Sequence, residues 1–416
     1  MRTSPSSSVS ATAPRSRLRF SDVRIFEGSG TDVFAGEVLI DGDRIAGVAH
    51  EPGGFASADA QTVEGRGRFL MPGLVESHAH ITYPNAIDRW YPHLYPPAAV
   101  ETTLMTVHNA HVLVDHGFTS AYSAGAIKPG IEAVLRDEIA AGRVTGPRLR
   151  AASMEVYFPG DPDARPMPHT PEDLRAAVRE SAAEGLDIIK LFLSGLNGIM
   201  PQDDWQTVLD DDAVAAAADE ALAHGLTLSC HVRPVSGLKQ ALRHGFRMLY
   251  HAEEVDDEAL DMMAERKAEV FVGPTIGGIA MRADQATGET QAQSIARLAA
   301  YKETVGRIRA RGVPIVPFGD YGFPGRPHGM NARDLDYFVR YLGFTPAETL
   351  AAATSVGGVL MGGDKIGRIA EGYLADVLLL ERDPLPDVRC LEDRGTFALV
   401  MKGGRAIAGA SAHETW

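Results

Sequence analysis

The chain has 416 residues, of which 45% are apolar and 23% charged, and 40 Lys and Arg stand against 55 Asp and Glu for a formal charge of −15. That size and mix suit one large soluble enzyme domain with a small companion module, and the acidic balance speaks against DNA or RNA as partners. No run is long enough for a membrane-spanning helix, and two cysteines, Cys230 and Cys390, exclude a disulfide framework and point to a reducing cytoplasm.

In chain order, residues 1–16 are rich in Ser, Ala and Pro without an apolar core, which reads as a disordered leader rather than a signal peptide. Residues 17–70 alternate short apolar runs with turns. Arg19–Phe26 and Gly36–Ile45 read as strands, and Asp41-Gly42-Asp43 as a hairpin pause. The same texture returns in residues 363–416, at Ala375–Leu380 and Ala398–Arg405. Neither end carries enough apolar surface to fold alone, so a small β-sandwich built from both termini is the economical expectation.

Between them, residues 71–362 alternate strand and helix patterns. Apolar strands are predicted to end near His78, Ser123, Glu155, Lys190, His231, His251, Thr275 and Asp320, with helices such as Ala213–His224 and Val235–His244 between. Eight such units predict an α/β fold, a (β/α)8 TIM barrel. Thr345-Pro346-Ala347-Glu348 is a capping box with proline at the first helical position, opening the last helix. No solenoid repeat is present.

A barrel gathers the C-terminal ends of its strands around one mouth, so chemistry is sought there. His78 and His80 lie two apart on the first strand and therefore share a face, where they could grip a metal or simply fill a core. Lys190 sits inside Ile188-Ile189-Lys190-Leu191-Phe192, where burial of an ammonium is costly. Either a neighbouring carboxylate pairs with it, or it loses its proton and takes up CO2 as a carbamate able to bridge two cations. His231 and His251 each end a strand, 20 residues apart. Each alone reads as a core histidine, and Cys230 should face the opposite way, into packing. Asp320 closes the eighth strand as a ligand, a proton acceptor or an N-cap. Together the six fall at the C-terminal ends of five barrel strands or just after one, whereas the other histidines scatter, and the conjunction favours a metal site.

These residues, with Met71-Pro72-Gly73-Leu74-Val75-Glu76-Ser77-His78-Ala79-His80, Ile189-Lys190, Leu342–Thr354 and Ile366–Val377, give a chain that resembles the metal-dependent amidohydrolase superfamily. The resemblance is greatest to its Xaa-Pro dipeptidase-like and ochratoxin-hydrolysing amidases. It implies a binuclear centre of two divalent ions, zinc or else Mn, Fe or Co. One ion would take His78, His80 and Asp320, the other His231 and His251, with carboxylated Lys190 bridging. It also implies that Asp320 serves as base and then acid while water attacks a carbonyl, and that the chain forms a homo-oligomer. Near Tyr122-Ser123 the relatives usually carry Arg-Asp, so no substrate contact is carried over for the second strand.

For the substrate, the segment Ile81 to Val100 holds Tyr83, Trp90, Tyr91 and Tyr95, which suit an aromatic wall or lid as readily as loop packing or a subunit contact. Arg326 and His328, in the Gly- and Pro-rich loop after the eighth strand, could meet a substrate carboxylate. Tyr157 could polarise a carbonyl. The leading expectation is hydrolysis of an amide C–N bond in a small molecule: an N-acyl amino acid, an Xaa-Pro-like dipeptide or a cyclic amide. An esterase or lactonase could use the same six residues, but such relatives generally lack the flanking β-module. A mononuclear deaminase would need a glutamate where Pro234 stands, and a non-catalytic scaffold would have lost ligands.

Overall fold

The computed structural model describes residues 17–30, 32–56, 58–84, 98–155, 167–196, 200, 202–323, 325–363 and 365–410. The expectations for the leader and for Trp90, Tyr91, Tyr95 and Tyr157 lie outside the described residues.

Strands from the two ends do assemble together. β1 (Arg17–Phe26), β2 (Val33–Asp41), β3 (Arg44–Ala49) and β4 (Gln61–Pro72) join the C-terminal β12 (Val377–Leu380), β13 (Phe397–Lys402) and β14 (Arg405–Ala408). They form one seven-stranded sheet, ordered β14-β13-β12-β4-β1-β2-β3. Only β1 and β4 pair parallel; every other neighbour is antiparallel. Asp41 pairs with Arg44 across the Gly42-Asp43 turn, where Gly42 has φ +64, so the Asp-Gly-Asp pause is a two-residue hairpin. Period-two alternation decides what each face buries. Val377 and Leu379 pack with Phe20, Ile25 and Ile40 inside the module. Leu378 and Leu380 pack the other way, with Phe118, Leu350 and Leu113 of the central domain.

The central domain alternates β5 (Leu74–Ala79), α1 (Ala99–Asp115), β6 (Phe118–Ser123), α2 (Ile131–Ala140), β7 (Arg148–Arg150), α3 (Pro171–Ala183), β8 (Ile188–Phe192), α4 (Asp211–Ala223), β9 (Thr227–Val232), α5 (Val235–Arg243), β10 (Met248–His251), α6 (Asp257–Glu265), β11 (Phe271–Gly273), α7 (Gly277–Gln285) and α8 (Gly288–Ala310). All neighbouring pairs in β5-β6-β7 and in β8-β9-β10-β11 are parallel. Bridges from Ala152 to Ile188 and from Val272 to Ile315 connect the two groups and add the eighth position. The Ser77 hydroxyl donates to the Pro317 carbonyl, which ties the last position to the first, and Tyr250 Oη on the sixth strand donates to Ser77 O at 2.9 Å. This is the (β/α)8 barrel.

Three strands are shorter than the apolar runs suggested. β7 stops at Arg150 rather than near Glu155, and β11 at Gly273 before Thr275. The eighth is reduced to a bridge at Ile315, because Pro314 and Pro317 lack the N–H that a ladder needs. Beyond it the backbone turns through left-handed conformations. Among the described residues, five of the seven non-glycine positive-φ positions, His251, Ala252, Thr275, Phe318 and Asp320, sit at the barrel mouth. Such conformations cost free energy and gather where function requires a side chain aimed against local preference. The Thr345–Glu348 capping box forms as expected: Thr345 Oγ1 accepts from Glu348 N at 3.2 Å and Glu348 Oε2 from Thr345 N at 2.8 Å.

Candidate metal centre

Strand β5 delivers His78 and, just past its end, His80; both rings are buried, with centroids 5.0 Å apart. Their Nε2 atoms lie 3.4 and 3.3 Å from the same Asp320 Oδ1. Their Nδ1 atoms point outward to partners that fix the tautomer. The Thr275 hydroxyl donates to Gly273 O at 3.0 Å, so at 3.0 Å it accepts from His78 Nδ1–H and leaves the Nε2 lone pair free. His80 Nδ1 likewise donates to Gly125 O at 3.2 Å, with Glu155 Oε2 also at 3.2 Å. Gly319 is required here. A Cβ on it would lie 2.6 Å from His78 Nδ1, and its φ of +153 swings the chain so that Asp320 faces the rings.

His231 from β9 and His251 from β10 form the other flank, with ring centroids 4.4 Å apart and His251 5.9 Å from His78. His231 Nε2 and His251 Nδ1 are buried without a hydrogen-bond partner among the described residues. A buried imidazole nitrogen costs free energy unless something accepts or donates to it. Burial drives the pKa of His78, His231 and His251 well below the usual histidine value, so all three are neutral, the form that ligates a metal. Burial alone would raise the Asp320 carboxyl. The Arg326 guanidinium, 3.9 Å away, opposes that effect, and the group is held well below the ordinary carboxylate range.

Lys190 is the last of the six residues expected at the site. Its Nζ is buried, 4.6 Å from the Tyr250 ring centroid, and donates to Ala124 O at 2.7 Å and to Glu155 Oε1 at 2.8 Å. The neighbouring carboxylate that the sequence left open is therefore Glu155. It is buried too, and its Oε2 accepts from Tyr83 Oη at 3.0 Å. Sequence reading took Glu155 only as a strand end; its place after a barrel strand, like that of the six, was the available signal. Thr275 was passed over in the same way.

The substrate candidates are placed unequally. Tyr83 is buried, its hydroxyl engaged by Glu155 and its ring tilted against that of His80 with centroids 4.4 Å apart. His328 is buried under Gly322, beside the backbone of His80 and Tyr83; burial lowers its pKa to about 3. Arg326 faces the centre, with Nη1 3.9 Å from Asp320 Oδ2 and its guanidinium 5.3 Å from the Phe323 ring.

Two imidazoles sharing a carboxylate, beside two imidazoles with unanswered nitrogens, suit divalent cations bound by nitrogen and oxygen. Asp320, His78 and His80 could hold one metal ion within a span of 4.8 Å between ligand atoms.

The family model described as "Amidohydrolase family" matches residues 69–266 and 327–407. This chain belongs to that family. Such amidohydrolases generally bind metal ions and act on small molecules. Ochratoxinase from Aspergillus niger is 29% identical over 251 residues, 57% of this chain and 50% of that protein, so the chain matches about half the length of this curated relative. Imidazolonepropionase from Ectopseudomonas mendocina is 26% identical over 410 residues, 88% of this chain and 92% of that one. Among solved structures, A. niger ochratoxinase superposes with TM-score 0.80 at 22% identity, covering 95% of this chain and 96% of the other. A Xaa-Pro dipeptidase with bound methionine gives 0.79 at 22%, covering 94% and 99%. At that identity the two structures speak for the amidohydrolase barrel alone. No helix among the described residues is long and apolar enough to cross a membrane.

Proposed function

We propose that this amidohydrolase hydrolyses an amide C–N bond in a small molecule, at a binuclear centre formed by His78, His80, Lys190, His231, His251 and Asp320. The observation that carries the reading is the convergence of His78 Nε2 and His80 Nε2 on one Asp320 oxygen, at 3.4 and 3.3 Å, with both tautomers set from behind. The neutral, partnerless His231 and His251 support a second ion. Zinc suits these donors best, with Mn, Fe or Co as substitutes. When bound, divalent cations polarise the amide carbonyl and bring water within reach of ionisation near neutral pH.

The chain's own residues do the rest. Asp320, ionised and turned toward the mouth, takes the proton of the attacking water. It returns that proton to the leaving nitrogen, serving as base and then acid because the two transfers are sequential. The Lys190 amine bonds CO2 with release of a proton, and the resulting carbamate would supply two oxygens between the flanks. Glu155 then keeps its contacts with Tyr83 and His80. The domain bounds 17–70, 71–362 and 363–416 belong to the same reading, as do a cytoplasmic setting, which the free thiols of Cys230 and Cys390 suit, and assembly as a homo-oligomer.

The test is a metal count on the purified protein followed by a hydrolysis panel of N-acyl amino acids, dipeptides, lactams, esters and lactones. Near two ions per chain and turnover of amides support the reading. Ester or lactone turnover with amides untouched replaces it with the esterase alternative, and protein that takes up no metal removes it.

A further inference from the structure

The chain carries a charge of −15, yet Arg326 lies 3.9 Å from Asp320 and further arginines flank the last barrel segments. Arg233, two residues beyond His231, and Arg297 on α8 are both spoken for. They share Glu253, at 2.9 Å from Arg233 Nη1 and 2.6 Å from Arg297 Nη2, and Arg233 also lies 3.8 Å from Asp204. Arg326 and Arg282 are not. Arg326 makes no side-chain hydrogen bond among the described residues, and its one ion pair, 3.9 Å long, is to Asp320, whose charge the proposed metal would take. Arg282 has neither hydrogen bond nor ion pair among the described residues, and it is exposed.

The two are neighbours through α7. A Cβ on Gly278 would stand 3.1 Å from Arg326 Cζ, so the Arg326 guanidinium lies against the first turn of that helix. Arg282 is four residues on and so shares that face, and helical side chains lean toward the N-terminus, here toward Gly278 and the mouth. Partial burial of this otherwise exposed side chain, then the nearby Arg326, Arg297 and Arg233, lowers the Arg282 pKa. A guanidinium does not resolve such crowding by deprotonating, so solvent or an anion brought from outside relieves it.

Resting on the amidase reading, we infer that Arg326 and Arg282 form an anion subsite on the leaving-group side that takes an amino acid with two carboxylates, an aspartate- or glutamate-like amine. The argument has two parts. Asp320 must reach the leaving nitrogen, and in an α-amino acid the carboxyl carbon is two bonds away, about 2.5 Å, which suits an arginine 3.9 Å from that Asp. One carboxylate satisfies Arg326 and leaves Arg282 without a counter-charge. A second carboxylate, farther out along the side chain, satisfies it. Arg326 is thus the contact for the α-carboxylate, and Arg282 is the residue that sets selectivity for an acidic leaving group.

The experiment compares kcat/KM of the metal-loaded enzyme for N-acetyl-L-glutamate and its uncharged-side-chain isostere N-acetyl-L-glutamine. The wild type should prefer glutamate by about 10- to 100-fold, the range of one charge-assisted contact. Arg282→Gln should collapse that ratio toward one, mainly through KM. Arg326→Gln should raise KM for both. In parallel, calorimetry with the metal-loaded Asp320→Asn protein measures free L-glutamate against L-glutamine, with tighter binding of glutamate expected and lost in the Arg282→Gln double variant. Equal rates on the two amides, or a ratio unmoved by Arg282→Gln, overturns the inference while leaving the amidase reading in place. Absence of turnover on every amide removes the amidase reading, and the calorimetry then decides the subsite by itself: equal binding of the two amino acids rejects it.

Discussion

The two flanks of the barrel mouth differ in how finished they are. On one, His78, His80 and Asp320 already converge, with Thr275 and Gly125 O holding the outer nitrogens. On the other, His231 and His251 have nitrogens without partners, and Lys190 is drawn away to Glu155 and Ala124 O. The difference has a physical cause. A histidine pair around one carboxylate is satisfied by ordinary hydrogen-bond geometry, so protein atoms alone can preassemble it. On the proposed reading, a flank that uses a carbamate is not built from unmodified side chains alone, whereas the other flank is held by hydrogen bonds of the fold itself.

The sharpest way to break that contrast is Asp320→Asn. The amide keeps the shape and loses the proton acceptor. Turnover should fall by about 10²- to 10⁴-fold, the range for a general base. Appreciable metal should remain, because His78 and His80 keep their tautomers. Metal analysis beside kcat separates the roles: a variant stripped of metal makes Asp320 chiefly a ligand.

On the unfinished flank, Lys190→Ala should lower activity by at least about 10-fold and halve the metal content. Added acetate or propionate should restore part of both, by standing in for the carbamate. Wild-type turnover of this variant in metal-limited buffer would end the bridging proposal. Isotopic 13CO2 gives the complementary reading, a carbamate carbon signal in wild type that is absent from Lys190→Ala.

What the sequence disclosed follows the same division. His78, His80, His231, His251, Lys190 and Asp320 were legible because strand ends in a barrel share one mouth, so position along the chain reports position in space. Glu155 and Arg282 were not. Glu155 follows β7 by five residues, past where the ladder stops, and what makes it notable is reach across to Lys190, which no local pattern encodes. Arg282 reads as an ordinary surface arginine on α7 until Gly278 is seen to lie against Arg326. The fold shows the same limit. The two terminal β-segments were legible as partners because neither could bury itself, but the single parallel pair β1–β4 within one seven-stranded sheet is a matter of register, set by packing over some 40 residues of separation. The eighth strand was overread because apolar character counted for more than its two prolines.

Gly125→Ala probes the link that ties the flanks together. Gly125 has φ +124, and a Cβ there would collide with Glu155 Cβ. Its carbonyl holds His80, and the side chain it makes room for holds Lys190. Backbone strain plus the clash should destabilise the fold by about 2–4 kcal/mol, read as a lower urea midpoint. If strain were the whole effect, added carboxylate would do nothing for residual activity. If Lys190 is released from Glu155, the carbamate signal should rise.

The smallest effect concerns the barrel wall at the bridge between its third and fourth strands. Glu132 on α2 is buried and accepts from Ala152 N at 2.9 Å, next to the bridge that joins β7 to β8. Burial raises its pKa from 4.5 to about 7, against the lowering pull of the Ala152 and Ser123 hydrogen bonds. The folded state therefore binds a proton that the unfolded chain has already released between pH 4.5 and about 7. The stabilisation from this group is complete below the lower value and lost as pH rises through the upper one, at most about 3 kcal/mol for a shift of this size. Glu132→Gln keeps the acceptor for Ala152 N and cannot ionise. Urea unfolding of both proteins at pH 5 and pH 8 should show the variant gaining on the wild type at pH 8 and matching it or falling slightly below at pH 5. Parallel midpoints at the two pH values would mean that Glu132 stays ionised in the fold, and that the barrel wall at this bridge carries a buried charge.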